Sequence, residues 1–429
     1  MARNTGGRSI FIALSILVVA AGALALLLFF VRWYIALPSL ALCVVAGVAA
    51  WKHLSTQLKK SVNENIFVIL SGTVATLIVC FVLYLMTHIF LLGKSNLSWT
   101  FLFSPPAEGL TAGGIFPAIV GTALLVIIMA IAGVPVGTIT AIYLTEYANE
   151  KSIISRFIRF TVNTLAGVPA IVFGLFGLGF FIGTIGKQMD AWERSRMMGR
   201  MEQLFSESGS PFSDDGKATA AEIERLFRDT DEKAWAAQLD LTKIIGEMYG
   251  TAEVPKATVV QFYRERTRPH WGQPGLIWAA LTMALLTLPV VIVSVEESIK
   301  AVPKDLREAS LSLGATKWIT ILRVVIPGSF SGILTGGILA VSRGAGEVAP
   351  ILFTGAAYYL PELPNSLSSQ FMELGYHIYV LTTQSTNMEL TKPLLYATTF
   401  VLLILTFALN FTAIFIRSRV RARMARLGQ

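Results

Sequence analysis

The sequence predicts an all-α polytopic membrane protein, and three observations carry that prediction. Of 429 residues, 54% are hydrophobic and only 14% are charged, against roughly 25% charged in soluble domains. Eight apolar runs reach the length of a bilayer-crossing helix, about 20 residues. Lys and Arg concentrate in alternate connections between those runs, as cytoplasmic loops do.

The first two runs, Ser9–Val31 and Trp33–Trp51, are separated by Arg32 alone and predict a tight hairpin, with a single bent helix as the alternative. The first is too long for a signal peptide's apolar core and lacks a cleavage site of small residues, so it is read as mature protein. Six further runs follow: Ile66–Leu92, Gly114–Thr145, Phe160–Gly186, Trp271–Val295, Pro327–Ser342 with a continuation past Arg343, and Pro393–Ile416. Basic residues mark one side of this series: Lys52, Lys59 and Lys60; Lys151, Arg156 and Arg159; Lys300, Lys304, Arg307, Lys317 and Arg323; and Arg417, Arg419, Arg421, Arg423 and Arg426. The alternate loops hold little more than Lys94 and Lys392. Eight spans with both termini cytoplasmic satisfy the alternation.

The formal charge of +8 is accounted for by residues flanking apolar spans, so no nucleic-acid partner is expected. Cys43 and Cys80, both inside apolar runs, suggest neither a disulfide framework nor a metal site. One stretch differs in kind. Between Lys187 and Gln273 there are 13 Lys and Arg against 15 Asp and Glu, the composition of a soluble domain. Counting spans places it outside, in the periplasm. Helical spacing at Ile223, Leu226 and Phe227 and at Leu239, Leu241, Ile244 and Ile245 predicts a small helical insert. Thr219 with Glu222 suits a capping box.

The most informative motif is Glu308-Ala309-Ser310-Leu311-Ser312-Leu313-Gly314, followed by Val324-Val325-Ile326-Pro327, in the basic loop 299–327. Small residues permit close approach, Gly314 permits a sharp turn, and Pro327 suits the first turn of a helix. This loop resembles that of the ABC importer permeases, in which a Glu-Ala-Ala triplet, a later Gly and an apolar-x-apolar-Pro recur; Ser310, Val324 and Ile326 are departures. Ile142–Tyr147 and Gly167–Phe176 are similar to segments of the phosphate-specific PstA-type permeases. Arg343-Gly344-Ala345-Gly346-Glu347-Val348-Ala349-Pro350-Ile351-Leu352-Phe353-Thr354-Gly355 is the most specific match, with Val348 and Ile351 departing from the pattern. The likeness runs from Asn63 to the C-terminus, the insert apart.

That resemblance implies a six-helix type I permease core, to which this chain adds an N-terminal two-helix hairpin and the small helical periplasmic insert. The implied organisation is an extension at 1–62, the core's first half at 63–186, the insert at 187–273 and the second half at 274–429. In the family, the loop at Glu308, Ala309, Ser310, Gly314 and Pro327 docks on an ATPase. The implied partners are a second homologous permease, an ATPase dimer, a periplasmic phosphate-binding protein, inorganic phosphate and the lipid of a bacterial inner membrane. No cofactor is implied, and no nucleotide site in this chain.

Arg343 and Glu347 stand four apart and can pair on a helix. Charges within a span are expensive and usually mark a pathway, so Arg343 is expected to meet the anion and Glu347 to hold or release it; a fixed structural pair is the alternative. Glycine and proline density at Gly133, Pro135 and Gly137 and at Gly167, Pro169, Gly174, Gly177 and Gly179 suits either a moving pore or close packing. Gly93-Lys94-Ser95 lacks the first glycine of a phosphate loop. Ser213–Gly216 with Glu222 lacks the first ligand of a calcium loop. His53, His88, His270 and His377 lack ligand spacing. Two other function classes stay open: a permease for sulfate or molybdate, and a membrane phosphate sensor. A proton-coupled carrier is disfavoured by the scarcity of carboxylates in the spans.

Overall fold

A computed structural model describes residues 62–107, 112–149, 151–206, 217–219, 253–255, 270–385 and 388–426. The two N-terminal runs and the helical stretches expected at 220–249 lie outside the described residues. Among the described residues, six helices are long and apolar enough to cross a membrane: Leu70–Gly93, Phe116–Tyr147, Ala170–Arg196, Leu276–Lys300, Lys317–Gly344 and Thr391–Arg419. The protein is an all-α polytopic membrane protein, as its sequence predicts. Backbone hydrogen bonds closed within each helix are what permit a chain to cross hydrocarbon.

The fold divides into two units. The first holds the described residues up to Phe116 together with His377–Phe407. Its first helix, α1 (Val62–Gly93), leaves Leu70, Val74, Ile78 and Phe81 exposed. A helix apolar on its open face suits lipid rather than water. A short helix α2 (Trp99–Phe103), N-capped by Ser98, leads into an antiparallel pair, β1 (Pro106–Ala107) and β2 (Ala112–Gly113). Gly93 lies so close to Ala397 that an added Cβ would sit 2.6 Å from its backbone nitrogen, and the rings of Phe90 and Phe400 meet at a tilt of 51° with centroids 5.1 Å apart. Cys80 of α1 is disulfide-bonded, where the sequence suggested no disulfide framework.

The second unit holds Pro117–Tyr376 and Ala408–Gln429. Helix α3 (Phe116–Ile142) ends in a π-helical turn, Tyr143–Tyr147. Then come α4 (Ile153–Leu165), α5 (Ala170–Phe176), a π-helical stretch Gly177–Gly186 and α6 (Lys187–Ser206). The run read as one span from Phe160 to Gly186 is therefore broken at Ala166–Pro169. Proline has no N–H to give and disfavours helix at the residue before it. The spanning segment instead starts at Ala170 and continues through Lys187 without interruption. Beyond α6, β3 (Lys217–Thr219) pairs antiparallel with β4 (Glu253–Pro255). The insert thus contains strand as well as helix; Thr219 ends β3, and Glu222, its expected capping partner, lies outside the described residues.

Helix α7 (Leu276–Lys300) is the core of this unit. Being apolar all round, it is stable only when enclosed. Leu276, Ala279, Ala280, Met283 and Leu286 are buried against Leu125, Val126 and Met129 of α3, Phe173 of α5, and Ile351 and Phe371. A second cluster joins Val291, Val295 and Ile299 to Ala141, Leu144, Ile321, Val325 and Ala340. The start of α7 would leave orphan N–H groups. Those of Gly275, Leu276 and Ile277 donate to the carbonyls of Thr354, Ser369 and Leu367 at 2.8–2.9 Å.

After α8 (Lys304–Ser312), one continuous helical run comprises α9 (Lys317–Thr320), a π turn Ile321–Val325 and α10 (Ile326–Gly344). This helix begins at Thr316, whose side chain accepts from the N–H of Ile319 at 3.3 Å, and not at Pro327 as expected. The π turn shows why Pro327 is tolerated inside it. The N–H of Ile326 reaches back five residues to the Ile321 carbonyl, loosening the helix where the proline cannot bond. The run ends at Gly344, without the continuation past Arg343 that the apolar pattern suggested. Helices α11 (Leu374–Thr383) and α12 (Met388–Arg426) complete the chain.

Candidate functional site

Apart from Pro327, which lies inside the 28-residue helix Lys317–Gly344, the predicted site residues fall in two places at opposite ends of that helix, a length of roughly 40 Å at 1.5 Å per residue. The Glu308 segment and the Arg343–Glu347 pair are therefore not brought together.

At the α8 end, Glu308 and Ala309 are exposed, while Ser310 is half-buried and its Oγ lies 2.9 Å from Thr320 Oγ1. Gly314 has φ of +83°, a left-handed conformation that a side chain would strain. It turns the chain from α8 into α9. Leu306, Leu311, Leu313 and Trp318 are exposed, Leu313 at 89%. Exposed apolar side chains among charged ones are a common feature of protein-binding surfaces.

Behind that surface lies a charge network that sequence spacing did not single out. Arg307 donates to the carbonyls of Val302 at 2.8 Å and Ile299 at 2.6 Å. The same guanidinium pairs with Glu146 at 3.2 Å. Arg159 pairs with Glu296 and donates to the Leu144 carbonyl at 3.0 Å. Lys300 also reaches Glu296, at 3.2 Å. Lys317 sits 5.0 Å above the ring of Tyr147. These basic residues read in the sequence only as topology markers. Glu296 and Lys300 stand four apart, a signal that was available; the link from Glu146 to Arg307 was not.

At the other end, Arg343 closes the last turn of α10 and Glu347 lies beyond it. Arg343 Nε is 3.4 Å from Glu347 Oε1, with side chains 40% and 28% exposed. The next residues fold as turns and pack on the glycines of α5 and its π extension. A Cβ on Gly174 would lie 3.0 Å from the Pro350 carbonyl oxygen, and one on Gly177 2.7 Å from Thr354 Cγ2. The segments Gly167–Phe176 and Arg343–Gly355, distant in sequence, thus meet face to face, and the glycines make the approach possible.

Two further acids, Asp190 and Glu373, are buried and carry no spacing signal in the sequence. Asp190 accepts the N–H groups of His270, Trp271 and Gly272 at 2.6–2.9 Å, clipping together the two ends of the insert. Glu373, fully buried, accepts those of Gly375 at 2.8 Å and Tyr376 at 2.6 Å at the start of α11. Burial pushes its carboxyl up to about 7, against the pull of those hydrogen bonds. His270 Nε2 is 2.8 Å from Ser368 Oγ. Among the described residues no cluster of His, Cys, Asp and Glu is suited to a metal ion.

A family model described as "Binding-protein-dependent transport system inner membrane component" matches residues 133–426, which run from α3 through α12 and include both sites. The chain belongs to that family. Among individual relatives, the phosphate transport system permease protein PstA 1 of Mycobacterium tuberculosis is 30% identical over 241 residues, 56% of this chain and 51% of the relative. The probable ABC transporter permease protein YqgI of Bacillus subtilis is 24% identical over 339 residues, 76% of this chain and 86% of the relative. The phosphate transport system permease protein PstA of Yersinia pestis is 28% identical over 279 residues, 65% of this chain and 61% of the relative. The chain spans about half the length of the mycobacterial relative it matches. As a member of the family, it is a multi-pass component of a binding-protein-dependent transport system.

Proposed function

We propose that this chain is the permease subunit of an ATP-driven importer that moves inorganic phosphate into the cytoplasm by alternating access. The observation that carries the reading is that relatives named as phosphate transport permeases align over more than half of this chain. The Arg343–Gly355 segment, where the likeness to the PstA type is most specific, supports phosphate over sulfate or molybdate.

In this reading the exposed Leu306, Leu311 and Leu313 of and beside α8, with Glu308, Ala309, Ser310, Gly314 and Pro327, meet a separate ATPase dimer. A second homologous permease completes the pathway past Arg343 and Glu347, and a periplasmic phosphate-binding protein delivers the anion. The chain hydrolyses no ATP itself. ATP binding closes the ATPase dimer and moves α8. That movement shifts the balance between outward- and inward-open states by rigid-body displacement of packed helices. The cationic guanidinium at the end of α10 offers the anion a partner, and Glu347 competes for it.

The test is ATP-dependent uptake of labelled phosphate into proteoliposomes holding the chain with its co-purified partners, with excess sulfate or molybdate as competitor. Uptake that needs ATP and the binding protein and resists competition is the expected result. Suppression by a competitor would reassign the substrate. An intact, ATP-hydrolysing complex without uptake would leave a phosphate sensor. The proposed topology, with both termini cytoplasmic and the insert at 187–273 periplasmic, is checked separately: a cysteine at Ser213 should react with an impermeant thiol reagent outside spheroplasts. Protection there would reverse the topology.

A further inference from the structure

We propose that Glu146 is a positioning residue for transport: through Arg307 it carries the movement of α8 into the span α3. The inference rests on the importer reading above.

Helix α8 presents one face outward and is held to the body by few groups. Arg307 is the centre of that attachment. Its planar fork addresses two directions at once, which a lysine's point charge could not do. In one direction it takes the carbonyls of Ile299 and Val302, at the end of α7, where helix carbonyls lack partners. In the other it pairs with Glu146 at 3.2 Å, both side chains largely buried. Lys317 over Tyr147 adds a second contact between the same turn and the start of α9. The turn Tyr143–Tyr147 is thus gripped from both sides of the segment α8–α9, and Arg159 holds its Leu144 carbonyl as well.

That turn continues directly into α3. Farther along α3, Met129 lies against Gly344, where an added Cβ would be 2.5 Å from its sulfur. Gly344 follows Arg343 in the chain. A contiguous chain of packed groups therefore runs from Arg307 through Glu146 and α3 to the residue beside Arg343. A pull on α8 reaches α7 through two carbonyls, but reaches α3 through the Glu146 carboxylate and the Tyr147 ring. Removing the Glu146 charge leaves the attachment to α7 in place and weakens the one to α3.

The experiment uses the complete complex in proteoliposomes, read as anion moved per ATP hydrolysed. Glu146→Gln should leave ATP hydrolysis and co-purification of the partners in place, while the ratio falls at least roughly fivefold, the lower end of usual coupling between sites. Arg307→Lys should lower the ratio too, and the double variant should fall no further than the lower single, as residues acting through one link do. Glu146→Asp, which keeps the charge, should recover much of the ratio. An unchanged ratio in Glu146→Gln would overturn the inference. If Glu146→Gln fails to assemble and Glu146→Asp does not restore assembly, the residue serves folding and the inference falls as well. The importer reading fails separately, in the wild-type complex: if that complex moves sulfate or molybdate rather than phosphate, the ratio is read with that anion.

Discussion

Gly332 of α10 lies directly against Ser298 of α7: a Cβ built on Gly332 would be 2.1 Å from Ser298 Cβ. One turn away on each side the pattern repeats, with Gly328 against Val302 and Gly336 against Ser294. Small residues every fourth position let two helices approach closely, as in membrane helix pairs where dispersion replaces the hydrophobic drive. Ser298 also donates to the Ser329 carbonyl at 3.0 Å. Gly332→Ala should therefore force the helices apart and lower stability by about 1–3 kcal/mol, the usual range for overpacking. The thermal midpoint in detergent reads it out, and Ser298→Gly in the same chain should recover part of the loss.

Arg343→Gln tests the pathway pair. Half-exposed and only loosely bonded to Glu347, Arg343 contributes little to folding, since exposed pairs are worth about 0–1 kcal/mol. The variant should leave the complex at normal abundance and abolish uptake. Disappearance of the complex itself would make the pair a structural one.

Asp190→Ala leaves the N–H groups of His270, Trp271 and Gly272 without their acceptor. These bonds are part-buried, and a hydrogen bond to a charged group is worth about 1.5–3 kcal/mol, so the ends of the insert should separate. The expected readout is faster proteolysis within 187–273 at unchanged span content. Equal digestion rates would show that the clip is dispensable.

Glu373 and His377 give opposite pH dependences. The Glu373 carboxyl is raised from 4.5 to about 7 by burial. The folded state therefore binds its proton more tightly, and the stability this adds fades as pH rises from about 4.5 to 7. His377 is lowered from 6.5 to about 4, again by burial. Its folded state favours the neutral ring, and that stability fades as pH falls from about 6.5 to 4. The two slopes oppose each other over nearly the same window. Glu373→Gln should leave a thermal midpoint that rises with pH there, and His377→Gln one that falls. Identical profiles in both variants would refute the assignment.

Much of this architecture was legible in the sequence because hydrocarbon is an unforgiving solvent. Runs such as Trp271–Val295 must be helical and about 20 residues long to satisfy their own backbone, and composition alone reveals them. The turn at Gly314 was equally readable, since a lone glycine carries its conformation locally. The break at Pro169 was readable in principle, but an unbroken apolar run from Phe160 concealed it.

The sequence by itself determined a multi-span helical protein, the positions of most spans, the sharp turn at Gly314 and the candidate charge pair Arg343–Glu347. Only the tertiary structure decided that Arg307 joins Glu146 across 161 positions, that Gly174 and Gly177 receive Pro350 and Thr354, and that Asp190 closes the insert. The physical reason is the range of the forces. Hydrophobic periodicity and turn preference act within a few residues of one another, so one stretch of chain displays them. An ion pair or a glycine contact depends on which surfaces face each other, and that is settled only when helices of distant sequence pack together.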